Sequence, residues 1–133
     1  MSSLLIVGLG NVGIRHLEGC LKIKKIKRIY AVEKSKKRIN FCKSIFKNHI
    51  FFEKIFFKSN THKISSKLAI ISTNSNERFS IAKDLIKKNK IRNLILEKFL
   101  TNKMSDLKNF IKLTKSANIW INHIYRYQEA FTF

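Results

Sequence analysis

Proline is absent from this chain, glycine occurs only four times and cysteine only twice. Without proline there is no polyproline segment and no proline kink inside a helix, and so few glycines exclude a collagen-like repeat or a flexible linker. Cys20 and Cys42 lack the paired spacing of a zinc site and fall too few for a disulfide-rich domain. Each sits in an apolar helical pattern, which predicts two buried, reduced thiols. No apolar stretch nears the roughly 18 to 20 residues of a membrane span, and Met1-Ser2-Ser3 lacks the charged start and apolar run of a signal peptide. A cytoplasmic protein with no membrane partner is expected.

Acidic residues are scarce too: eight Asp and Glu face 28 Lys and Arg, for a formal net charge of +20. Such a balance suits a polyanionic partner such as nucleic acid. Here lysine far outnumbers arginine and is spread along the whole chain rather than gathered on one stripe. With the missing proline, this reads as the compositional drift of an AT-rich genome. A solvated basic surface is expected, and nucleic acid is the disfavoured partner. At 133 residues, 44% hydrophobic and 27% charged, there is room for one packed soluble domain.

The hydrophobic pattern alternates between two periods. Leu4-Leu5-Ile6-Val7 is a continuous apolar run ended by Gly8, as in a strand buried on both faces. From Asn11 to about Ile23, Val12, Leu17, Cys20 and Leu21 recur at spacings near three and four, which predicts a helix. The alternation then repeats, with a strand over 28–33 and a helix to about 46 that Ser35 caps. A short third strand is expected within the Phe-rich stretch 49–57, and the polar stretch 58–66 carries no assignment. A strand over 67–73, a helix over 76–89 and a strand over 91–97 follow. Thr101 or Asn102 is the expected cap of a last helix to about 116, with Met104, Leu107, Phe110, Ile111 and Thr114 at helical spacing, before a strand over 118–122. Strands separated by single helices predict an α/β fold: a doubly wound, mostly parallel sheet of about six strands, with right-handed crossovers and helices on both faces.

Three of the four glycines fall in one turn, Gly8-Leu9-Gly10-Asn11-Val12-Gly13, between the first strand and the first helix. In that context each has a task. Gly8 permits the sharp turn off the strand, Gly10 leaves room for a pyrophosphate, and Gly13 lets the helix pack against the strand. Phosphates would then meet the free N–H groups and positive dipole end of the helix. Glu33 lies about twenty positions on, at the end of the second strand, where a carboxylate accepts from ribose hydroxyls and repels a 2′-phosphate. NAD is therefore the expected cofactor over NADP, although Lys34, Lys36, Lys37 and Arg38 crowd the same place.

At this point the chain resembles the Gfo/Idh/MocA oxidoreductases over essentially its whole length. Gly8 to Gly13 followed by Ile14-Arg15-His16 is the first shared stretch, and Glu33 and Arg38 match an acidic and a basic residue around the adenosine. Ile70-Ile71-Ser72-Thr73-Asn74 resembles the family's strand ending beside the cofactor, with Asn74 and Arg78 where many members have proline and histidine. Glu97-Lys98-Phe99 looks like the family's Glu-Lys-Pro. The resemblance implies NAD contacts at Gly8, Leu9, Gly10, Asn11, Val12, Gly13, Glu33, Arg38, Thr73, Asn74, Glu97 and Arg126, and a catalytic role for Lys98 between nicotinamide and substrate. A lysine ammonium eases alkoxide formation and can relay a proton if burial depresses its pKa. Phe99 in place of proline implies a less rigid aim for Lys98.

Trp120-Ile121-Asn122-His123 and Tyr125-Arg126-Tyr127 resemble the sixth strand and the crossing into a second domain. Residues 1–122 are thus expected to form the cofactor domain and residues 123–133 to begin the crossover. The implied activity is hydride transfer on a sugar, sugar nucleotide or cyclitol. Because the substrate domain does not fit in 133 residues, the isolated chain is expected to bind cofactor but turn over sugars poorly. Self-association stays open. So do a nucleotide-sensing domain without catalysis, a basic nucleic-acid binder, and a truncated relic with apolar surface exposed around residues 120–133. His16, His49, His62 and His123 show no metal-ligand spacing. Phe51, Phe52, Phe56 and Phe57 are expected to pack in the core or against another domain.

Overall fold

A computed structural model of the chain describes residues 2–123. The elements run β1 (Ser2–Val7), α1 (Asn11–Leu21), β2 (Ile26–Val32), α2 (Lys36–Phe46), β3 (Ile55–Lys58), β4 (Leu68–Ile71), α3 (Ser75–Lys87), β5 (Asn93–Glu97), α4 (Met104–Leu113) and β6 (Asn118–Asn122). All strand pairings are parallel, in the order β3-β2-β1-β4-β5-β6. The chain therefore winds outward in one direction from β1 and in the other from β4. The expected doubly wound α/β fold is the one that forms. Its consequence is a crevice at the carboxyl ends of β1 and β4, where the winding reverses.

The apolar strands dictate this arrangement because they have two faces to cover. On β1, Leu4 and Ile6 pack with Ile29, Ala31 and Ile70 against Leu17, Leu21, Cys42 and Phe46 of α1 and α2. Leu5 and Val7 point the other way, among Ala82, Leu85 and Ile86 of α3 and Phe110 of α4. Leu5 and Ile6 are both fully buried, and cutting either back to alanine costs about 2–5 kcal/mol. Cys20 and Cys42 are buried and unpaired, as the helical pattern predicts.

Local chemistry sets most boundaries. The Ser35 hydroxyl accepts from the Arg38 N–H at 3.2 Å and so caps α2. The Phe-rich stretch splits: Phe52–Lys54 makes one 3-10 turn and only then does β3 begin. Phe51, Phe52 and Phe57 pack against the α1–α2 side of the core. The unassigned stretch crosses from β3 to β4 as a loop, plugged into the core by Ile64 and held by the Asn89 amide, which donates to the Thr61 and Ile64 carbonyls at 2.7 and 2.9 Å.

The start of α4 departs from expectation. Lys103 occupies its N-cap and makes no side-chain capping bond. Thr101 instead accepts from the Lys103 N–H at 3.1 Å, closing a turn one step ahead of the helix. The inward face also shifts. Phe110 and Leu113 are buried, whereas Met104 and Ile111 are 68% and 60% exposed.

Candidate functional site

Gly8 ends β1 at φ +92°, a conformation that L side chains rarely adopt. Its N–H donates to the Val32 carbonyl at 2.9 Å, and its carbonyl accepts from the Ser72 hydroxyl at 2.7 Å. The turn is thus pinned to both neighbouring strands. A Cβ on Gly13 would collide with the Gly8 carbonyl, whereas one on Gly10 would meet nothing within 4 Å. The two glycines therefore do different things: Gly13 is demanded by the packing, and Gly10 leaves open space over the start of α1. The first bond closed by that helix runs from the Ile14 N–H to the Gly10 carbonyl at 3.0 Å, so the N–H groups of Asn11, Val12 and Gly13 lie ahead of it. No side chain caps this end and no acid sits in its first turn. An unclaimed helix start beside an open glycine is chemically suited to a pyrophosphate.

Glu33 follows β2 directly. One carboxylate oxygen accepts the Leu9 N–H at 3.0 Å and the other accepts the Ser35 N–H at 3.0 Å. Each oxygen keeps a lone pair, enough for a ribose diol. Arg38 is half-buried beneath the turn, donating from Nε to the Leu9 carbonyl at 2.7 Å and from a terminal nitrogen to the Asn11 side chain at 2.9 Å. Its guanidinium lies over the Phe41 ring at 5.4 Å. The turn, the acid and α2 form one cross-braced unit.

A cavity of about 190 Å³ opens beside that unit, lined by Val7, Gly8, Glu33, Thr61, Thr73 and Ile81 among others. Lys34 and Glu77 face each other at its edge, 3.3 Å apart. Thr73 follows β4, and its hydroxyl is buried with no partner, a polar atom left over for a ligand at this cleft. Asn74 is the N-cap of α3 and makes no side-chain capping bond.

The other half of the crevice is built around Glu97, 8% exposed at the end of β5. His16 of α1 lies 2.6 Å from its Oε1, and the Asn122 amide of β6 donates to the same oxygen at 2.7 Å. Arg78 of α3 is 3% exposed. It donates to the Glu97 carbonyl at 2.6 Å and also to the carbonyls of Phe99 and Thr73. Burial lowers the pKa of this guanidinium, and the nearby Glu97 charge opposes the fall. Lys98 is exposed between these anchored neighbours, and the Lys98–Phe99 peptide bond is cis.

The fold therefore brings Gly8 to Gly13, Glu33, Thr73, Asn74, Glu97 and Lys98 to the carboxyl ends of β1, β2, β4 and β5, with Arg38 braced beneath the glycine turn. Arg126 lies outside the described residues. The sequence assigns no role to Ser72, Asn122 or Arg78, and marks His16 only as lacking metal-ligand spacing. A buried arginine in a lysine-rich chain carries no local signal. Its place in the first turn after β4 was the clue.

An open helix start after β1, an acid after β2 and a crevice at the winding reversal define a dinucleotide-binding domain of the Rossmann type. Residues 3–123 match the oxidoreductase family with an NAD-binding Rossmann fold named for Gfo, Idh and MocA. The chain belongs to that family. No curated protein matches it in a sequence search. Among solved structures it is similar to myo-inositol 2-dehydrogenase from Lactobacillus plantarum, at TM-score 0.77 and 16% identity over 96% of this chain and 38% of that one. It is also similar to scyllo-inositol dehydrogenase from Lactobacillus casei with bound NAD(H) and scyllo-inositol, at TM-score 0.76 and 14% identity over 98% and 38%. A third likeness is to UDP-N-acetylglucosamine 3-dehydrogenase from Acidithiobacillus ferrooxidans, at TM-score 0.74 and 14% identity over 96% and 39%. The chain thus spans about two fifths of the length of these proteins. Among the described residues, no helix is long and apolar enough to cross a membrane.

Proposed function

We propose that this chain is the cofactor half of an NAD-dependent dehydrogenase acting on a secondary alcohol of a sugar, sugar nucleotide or cyclitol. The observation that carries the reading is the open position at Gly10 over an uncapped helix start. On this reading the N–H groups of Asn11, Val12 and Gly13 hold the pyrophosphate and the spare lone pairs of Glu33 take the ribose hydroxyls. The Thr73 hydroxyl and Asn74 line the path toward Lys98. When bound, the nicotinamide supplies the hydride chemistry.

The chain's own contribution is placement and charge. The Lys98 ammonium, exposed just after β5, stabilises an alkoxide forming on the substrate. NAD is favoured over NADP because a 2′-phosphate would approach the Glu33 carboxylate. The substrate pocket belongs to a second domain, and residues 1–122 are the cofactor domain. The sugar and inositol dehydrogenases similar in fold support the substrate class. Titration with NADH and NADPH at moderate salt tests the reading: saturable binding that favours NADH supports it, and no saturation by either with the chain folded rejects it.

A further inference from the structure

We propose that Arg78 is the positioning residue for Lys98, which rests on the reading of Lys98 just given. The two carbonyls that flank the lysine, those of Glu97 and Phe99, converge on a single terminal nitrogen of this guanidinium. The other terminal nitrogen donates to the Thr73 carbonyl. Two carbonyls aimed at one point fix the backbone between them, which is the main chain of Lys98 and Phe99. The direction in which the Lys98 side chain leaves the turn is therefore set by a group on α3.

The chemistry needs arginine. Its two terminal nitrogens lie in one fixed plane, so one side chain can join the end of β4 to the turn after β5, while its buried Nε–H makes no bond. A lysine at position 78 would bring a point charge without the plane, and a neutral imidazole at most one donor. The guanidinium itself is shielded from water, since Arg78 is 3% exposed, and its bond to the Glu97 carbonyl is buried. From the opposite side, the Glu97 carboxylate is held by His16 and Asn122. The turn is thus gripped by its main chain on one face and by its first side chain on the other, while Lys98 stays exposed. Thr73 extends the grip to the cofactor cleft, whose wall it forms. A shift of the cofactor edge and a shift of Lys98 are coupled through one guanidinium.

The test uses the full chain as Arg78→Lys and Arg78→Gln, with hydrogen exchange read without ligand and the lysines carbon-13 dimethylated for NMR. The Lys98 signal is assigned with Lys98→Arg. Amides at 98–100 should exchange at least tenfold faster in both variants while those of β1 and β4 keep their protection. Adding saturating NADH should move the Lys98 signal in the unaltered chain, and that shift should vanish in Arg78→Lys at its own saturating NADH. Loosening of the whole sheet, or a Lys98 shift unchanged in Arg78→Lys, overturns the proposal. A check that needs no variant is the guanidinium of Arg78 itself. Slowly exchanging, separately resolved terminal protons support the clasp, and freely averaged ones overturn it. If the unaltered chain does not bind NADH, the cofactor reading fails by itself, and the ligand-free exchange still decides whether Arg78 holds the turn.

Discussion

The main-chain N–H of Leu9 donates to a Glu33 carboxylate oxygen at 3.0 Å, so the acid that follows β2 is fastened to the turn that opens α1. The Ser35 N–H holds the other oxygen. A carboxylate fixed in this way meets a ribose diol without first having to be ordered, which is where preorganisation raises affinity.

Glu33→Gln keeps the shape and removes the charge. Hydrogen bonds to a charged partner contribute about 1.5–3 kcal/mol each, roughly twice a neutral one. NADH affinity is expected to fall about tenfold, and the preference for NADH over NADPH to shrink with it. Fluorescence titration with both nucleotides reads this. An unchanged ratio would show that the surrounding lysines, not Glu33, set the preference.

Gly10→Val and Gly13→Ala separate binding from folding within one turn. The space above Gly10 is open, so the valine variant should unfold within about 1 kcal/mol of the parent in urea while losing saturable NADH binding. A methyl at Gly13 meets the Gly8 carbonyl, and main chain does not yield cheaply. Gly13→Ala is expected to cost about 1–3 kcal/mol or more. Equal stability losses in the two variants would contradict this division of labour.

The same contrast explains what was legible beforehand. The glycine turn, Glu33 and the strands read clearly because each rests on a local rule: continuous apolar runs, glycine where a side chain will not fit, an acid at a set distance. β6 matched its expected span, Asn118–Asn122. The Glu97 cluster was invisible in the same sense. His16 and Glu97 lie 81 positions apart, and Arg78 reaches 19 positions forward to the Glu97 carbonyl. Only the sheet order brings them together. The Thr101 cap failed for a different reason, since a hydroxyl two residues before Lys103 satisfies a turn as readily as a helix.

His16 and Glu97 should be energetically coupled. With His16→Ala, the buried carboxylate keeps the Asn122 amide but loses a partner 2.6 Å away, and stability is expected to fall by about 1–3 kcal/mol. In a Glu97→Gln background the same change should cost clearly less, because no buried charge is left under-bonded. A double-mutant cycle by urea unfolding measures the difference. Simple additivity would mean that the short contact carries no coupling energy.

Cys20 offers a test that reads the packing of α1 through pH. Burial pushes its thiol from 9.0 up to about 11. Below pH 9 the thiol is neutral in the folded and the unfolded chain, so it contributes nothing to pH dependence. Between pH 9 and 11 the unfolded chain releases this proton and the folded one keeps it. The unfolded state is then favoured by about 1.4 kcal/mol for each pH unit crossed. Stability should therefore fall with rising pH across that window and level off above it. The quantity to measure is the difference between the parent and Cys20→Ala in urea unfolding at each pH. The alanine variant should lack this part of the slope. At pH 8 the same shift leaves roughly one Cys20 thiol in a thousand ionised in the folded chain, so iodoacetamide should label it quickly only once urea opens the fold. Rapid labelling in the native state would place Cys20 outside the core that α1 makes with the sheet.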